Sequence, residues 1–128
     1  MPGKWGEHMR TVTIKHFQAV KQALDAMATK SEKFGALMIE TAAKTEAMVV
    51  AGDITQAKEL AAATEAQGHI EIARILSTFE LAAVEFFGER RHVFETPEAY
   101  AARIIDVLGT GDMAAIFEMQ HRNGVCFA

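Results

Sequence analysis

The chain has 128 residues, half of them hydrophobic, with 13 basic and 17 acidic side chains and a net charge of −4. That length fits one domain with a real core, and the two prolines and two serines leave little material for a disordered linker or low-complexity segment. The mild negative charge and scattered lysines exclude the concentrated basic face that nucleic-acid binding needs.

Residues 1–10 carry Pro2, Gly3 and Gly6 without a helical period and read as a flexible tail, from which Trp5 is free to fold back. They contain no apolar segment of signal-peptide length. From Thr11 the apolar residues fall at Phe17, Val20, Leu24, Met27, Phe34, Met38 and Met48, with Ser31, Thr41 and Thr45 as polar interruptions. This three-four spacing predicts one amphipathic helix over about 11–51, with Lys15, Lys21, Lys30, Lys33 and Lys44 off the stripe. Thr29 with Glu32 imitates a capping box and Gly35 is a weak helix former, so any bend belongs at 31–35. The stripe nevertheless keeps its phase through them. A helix of that length is about 60 Å long, against a radius of gyration of about 14 Å for a compact domain of this size. Either it breaks, or it forms a rod, or it lies against partner chains.

Gly52-Asp53 is the pivot. Gly52 suits the left-handed residue that closes a helix, and Asp53 with Gln56 is a capping-box pattern for opening the next. The second helix runs from Ile54 to about Gly88, or on to His92, with a seam of Ile54, Ala57, Ala61, Thr64, Gly68, Ile72, Leu76, Phe79, Ala83 and Phe86. Adjacent Phe86 and Phe87 cannot share that seam, so one of them needs a second packing surface. Thr96-Pro97-Glu98 restarts a helix with an N-cap, a proline at N1 and an acid in the first turn. This third helix, about 97–108, buries Tyr100, Ile104, Ile105 and Leu108. Gly109-Thr110-Gly111-Asp112 repeats the stop-and-cap chemistry, and a last helix covers 113–122.

No catalytic signature appears. Ser31 and Ser77 lack an Asp-His arrangement, and Gly109-Thr110-Gly111 follows a helix and lacks the lysine of a phosphate loop. The lone Cys126 cannot form an internal disulfide, which favours a reducing cytoplasm. The apolar runs stop well short of a membrane span. No cofactor is implied.

The segment Leu108-Gly109-Thr110-Gly111-Asp112-Met113-Ala114-Ala115-Ile116-Phe117-Glu118-Met119-Gln120 follows a long, alanine-rich amphipathic pattern. In this it resembles phasins, the helical proteins that coat polyhydroxyalkanoate storage granules. Phasins typically carry Asp-Pro at the break, where Met113 stands here in place of the proline. The resemblance implies a non-enzymatic, self-associating protein that lays an apolar stripe on a hydrophobic surface.

A second pattern is chemical. Glu89-Arg90-Arg91-His92 and Glu118-Met119-Gln120-His121 are both Glu-x-x-His, a spacing that puts carboxylate and imidazole on one helical face, as di-metal bundles require. Folding about residues 52, 95 and 110 would gather Glu89, His92, Glu118 and His121 with His16 and Glu98 at one end. Against this, both motifs sit at helix ends, where a solvated histidine is favoured by the helix dipole alone.

The expectation is an all-α protein, a long antiparallel helical hairpin plus two shorter helices, four-helix bundle-like and oligomeric. Residues 11–123 form its single domain, between the tail 1–10 and a C-terminal tail 124–128. The leading functional expectation is a cytoplasmic homo-oligomer that binds a hydrophobic surface or a helical protein partner. Its association surface would be Phe17, Val20, Leu24, Met27, Phe34, Met38, Phe79 and Phe86. The alternatives are metal binding by the Glu-x-x-His pairs and a protein-protein adaptor.

Overall fold

The computed structural model describes residues 9–128; Trp5 and the rest of the expected tail up to residue 8 lie outside them. In chain order the elements are β1 (Arg10–Val12), α1 (Ile14–Val50), α2 (Ile54–Phe87), α3 (Pro97–Gly109), α4 (Met113–Arg122) and β2 (Val125–Phe127). The fold is therefore all-α with a minor strand pair. No described helix is long and apolar enough to cross a membrane.

α1 is one unbroken helix of 37 residues, passing through Ser31 and Gly35. Nothing lies where a Cβ on Gly35 would sit, so this glycine costs helix propensity without marking a close approach. The helix closes as its residues dictate. Gly52 takes φ +89°, its N–H donates to Val49 O at 3.1 Å, and Asp53 N–H donates to Met48 O at 2.8 Å. These are the two bonds of a Schellman ending. Ala57 N–H then donates to Asp53 O at 3.0 Å and α2 begins.

The chain divides into two compact units, Asp25–Ile75 and the remainder, where a single domain was expected. In Asp25–Ile75 the two helices run antiparallel, with Thr41 hydroxyl to Thr64 hydroxyl at 3.4 Å and Lys30 to Glu71 at 3.7 Å. The ring of Phe34 occupies the space a Cβ on Gly68 would fill, which explains the glycine.

The other unit holds the large side chains. Val20, Phe79, Ala83, Phe86, Phe87, Tyr100 and Ile104 have no exposed surface. Phe86 meets three rings, Phe87 at 4.8 Å, Phe17 at 5.4 Å and Phe127 at 5.8 Å. Both phenylalanines of the pair are thus buried, and the second surface that the pair required comes from outside α2. α3 starts as read, with Thr96 accepting from Ala99 N–H at 3.1 Å and proline in its first turn. Asp112 likewise caps α4 by accepting from Ala114 N–H at 2.9 Å.

Three boundaries differ from the sequence reading, the first being Arg10–Val12, a strand where the tail was to run into a helix at about residue 11. Residues 125–127 are a strand rather than a tail, and they pair in parallel with β1, Arg10 opposite Val125 and Val12 opposite Phe127. Val12 and Val125 are buried by this pairing. Three-residue strands of β-branched and aromatic residues are too short to show a period of two. α2 ends at Phe87, because Gly88 turns to φ +70° and its N–H donates to Val84 O at 2.8 Å.

Candidate functional site

Between α2 and α3 the chain makes a connection, residues 88–96, with no regular structure beyond a turn at 93–94. Polar side chains hold it. Gln120 Nε2 donates to Phe86 O at 2.9 Å and Asn123 Nδ2 to Phe87 O at 3.3 Å, so α4 and its C-cap residue satisfy the last carbonyls of α2. Tyr100 hydroxyl donates to Glu89 O at 2.6 Å. Arg103 then grips both acids of the connection. Its Nε and Nη2 donate to the two oxygens of Glu95 at 2.8 and 2.7 Å, and its Nη1 donates to Glu89. Arg122 and Asn123 complete the shell of the Glu89 carboxylate at 3.4 and 3.0 Å.

The electrostatics follow from these contacts. Glu95 is held down to about 2, chiefly because Arg103 hydrogen-bonds it, while burial acts in the opposite sense. For Glu89 burial pushes upward, but Asn123, Arg103 and Arg122 together bring it below its ordinary value. Burial, followed by the charge of Glu80, raises the Tyr100 phenol. The Glu89 and Glu95 carboxylates are taken up by internal partners, so the chemistry of the cluster is positional: it fixes a backbone.

What that backbone displays is apolar. Val93 is 90% exposed and Phe94 98% exposed. Their turn is closed by Glu95 N–H to His92 O at 3.0 Å, with His92 N–H on the Glu95 carboxylate at 3.1 Å.

The unit Asp25–Ile75 displays a second apolar surface. Its internal seam buries Thr41, Ala57, Thr64 and Gly68, with Met27, Phe34, Thr45, Met48, Leu60, Glu71 and Ile75 half-buried. About half a turn around α1 lie Ala36, Ile39, Ala43, Ala47 and Val50, all exposed; on α2 the corresponding positions are Ala63, Ala66, Ile70 and Ala73. Both rows are uncharged and follow the three-four spacing of a helix-packing stripe. Each helix of this unit is therefore apolar on two sides.

No protein-family model, curated protein or solved structure matches this chain.

The residues expected to form an association surface prove mostly internal. Val20, Phe79 and Phe86 are fully buried in the chain's own core, and Phe17, Leu24, Met27 and Phe34 are half-buried. Only Met38, at 42%, stands among the exposed large side chains. The stripe that the sequence displays best is the one the chain uses on itself.

The metal alternative also fails on geometry. Glu89 and His92 are not on a helix, so their spacing does not align them, and Glu89 is already held by Arg103, Arg122 and Asn123. Glu118 and His121 lie exposed on α4. His16 pairs with Glu85 at 3.3 Å, where Glu89 was expected. Among the described residues, no three His, Cys, Asp or Glu side chains come together to hold a metal ion.

The sequence reading missed Arg103, Glu95 and Asn123, which no motif marks. It also passed over Val93-Phe94, an apolar pair between a helix end and the Thr96-Pro97 restart, where a turn should be polar.

Proposed function

We propose that this chain is a non-enzymatic helical protein that works by self-association, with Asp25–Ile75 as its main contact region. The observation that supports this reading is the two-sidedness of that unit. Its internal seam buries four small or polar positions, while Ile39, Val50 and Ile70 stand 75%, 84% and 61% exposed on uncharged rows. A helix apolar on both sides gains from a neighbour on each, because burying apolar surface is the main favourable term in association. Rows rich in alanine also let a neighbouring helix approach closely.

The same rows suit the coat function that the phasin resemblance implies, with a hydrophobic surface in place of a second copy. Exposed Ile39 and Val50 on one row of α1 favour this as the second reading.

Light scattering in line with size exclusion, over a hundredfold concentration range, tests the first reading. The wild type is expected at a multiple of the monomer mass. Ile39→Glu with Ile70→Glu is expected to lower that mass with unchanged helicity. A wild type that stays monomeric throughout overturns self-association; binding of that monomer to hydrophobic beads, lost in the double variant, would support the coat.

A further inference from the structure

Two further exposed apolar clusters adjoin groups of opposite charge, the second of them including Val50, where the α1 row ends. One is the Val93–Phe94 turn. A phenylalanine held 98% exposed makes no packing contribution to its own chain. The turn owes its shape to Arg103 and the Glu95 carboxylate, so Phe94 is presented without having to be ordered on contact. Preceding it are Arg90, Arg91 and His92, of which Arg91 is paired with Glu80 at 2.5 Å. The acids of the connection, Glu89 and Glu95, are neutralised by Arg103 and Arg122. The turn is thus an aromatic anchor with a basic flank.

The other cluster is the tip of the hairpin. Val49, Val50 and Ile54 are 52%, 84% and 53% exposed there. Beside them is a shallow depression lined by Gly52, Asp53, Ile54, Thr55, Gln56 and Glu59, which holds two acids and no base. Among the described residues, neither Asp53 nor Glu59 takes part in an ion pair, and neither does the Arg90 guanidinium.

We infer that the Val93–Phe94 turn of one copy docks on the Val49/Ile54 tip of a second copy, with Arg90 and His92 facing Asp53 and Glu59. The occupant is chosen by charge complementarity: the tip offers an apolar floor with an acidic rim, and the turn offers an aromatic anchor with a basic flank. Aromatic anchors dominate interface energetics when they fill a well-packed site. The two surfaces differ, so the contact is heterologous, and a docked pair leaves one turn and one tip free. Assembly through it depends on concentration and needs both surfaces intact. The inference rests on the self-association reading and adds to it a second, end-specific contact.

The test uses the full chain in two variants, Val93→Ser with Phe94→Ser and Val49→Ser with Ile54→Ser. All four positions are exposed, so unchanged circular dichroism and melting are expected. At matched concentrations the wild type is expected to be heavier than either variant alone. An equimolar mixture is expected to regain a heavier species that neither makes alone, because one variant keeps its tip and the other its turn. High salt is expected to reduce that species. Variants that keep the wild-type mass profile overturn the contact, as does a mixture that stays at the mass of its parts. Variants as heavy as the wild type, with Ile39→Glu and Ile70→Glu still lowering the mass, overturn this contact alone; a wild type that is monomeric throughout overturns both readings.

Discussion

Arg103 holds the Glu95 carboxylate with two nearly equal hydrogen bonds, Nε to Oε2 at 2.8 Å and Nη2 to Oε1 at 2.7 Å. The two residues are only eight apart, yet one belongs to a helix and the other to the connection before it. This side-on, two-point grip is what a planar guanidinium does and an ammonium cannot. It turns an irregular segment into a fixed one.

The grip sets an acid response. Glu95 has an ordinary value of 4.5 unfolded and about 2 in the fold, where Arg103 hydrogen-bonds it. A depressed folded value means stability that is fully present above the unfolded value and lost as pH falls toward the folded one. Glu89 is shifted in the same direction. Urea midpoints are therefore expected to be level from neutral pH to about 5 and to decline between 4.5 and 2. Glu95→Gln should remove a large part of that decline. An unchanged slope in the variant would show that the pair does not hold in solution.

Replacing Arg103 by Lys separates charge from geometry. The cation remains, so part of the acid response should survive, while the two-point hold on Glu95 is lost. Hydrogen exchange at the His92 and Glu95 amides, whose N–H groups close the turn, is expected to quicken relative to amides in the middle of α2. Equal protection in both proteins would mean that the turn is held by its backbone alone.

Gly88 is required on two grounds and Gly111 on one. Both have positive φ, +70° and +64°, a conformation that costs an L-residue about 1–2 kcal/mol. A Cβ on Gly88 would also come within 2.8 Å of Asn123 Cβ and Val125 Cγ2, whereas one on Gly111 meets nothing. Overpacking adds about 1–3 kcal/mol. Gly88→Ala is expected to cost about 2–5 kcal/mol in chemical denaturation and Gly111→Ala only the conformational part. Equal losses would show that β2 yields freely.

The helices were legible because their signals are local. Gly52, Thr96-Pro97 and Asp112 each fix a helix boundary with chemistry contained in a few residues, and the Phe17-to-Met48 stripe carries its own period. The cluster around Glu89 was not legible, since Arg103, Arg122 and Asn123 are 14, 33 and 34 residues away and nothing in the spacing announces that they meet. The same holds for β1 and β2, whose pairing joins residues 10–12 to 125–127. The stripe also misled. Periodicity identifies a face that must be buried, but it is silent on whether the chain's own second helix or another molecule buries it. Here Thr64 and Gly68 of α2 lie against that face, and the second, alanine-rich rows went unread because alanine weighs little in a hydrophobic pattern.

Gly68 offers the sharpest check on the hairpin. In an isolated helix, alanine is favoured over glycine by about 1 kcal/mol, so Gly68→Ala would ordinarily stabilise α2. Here the new methyl would fall within 1.9 Å of Phe34 Cε2 and 2.2 Å of Cζ, and the ring must leave. Phe34 is half-buried, so displacing it forfeits apolar contact that offsets the propensity gain. Gly68→Ala alone is expected to be neutral or destabilising. In a Phe34→Ala background the obstruction is gone, and the same substitution should stabilise by the full ~1 kcal/mol. The double-mutant cycle then carries a coupling of at least about 1 kcal/mol, within the range seen for residues in direct contact. Additive effects in urea denaturation would mean that the Phe34 ring does not lie across Gly68, and with it the pairing of α1 and α2 in this unit would be out of register.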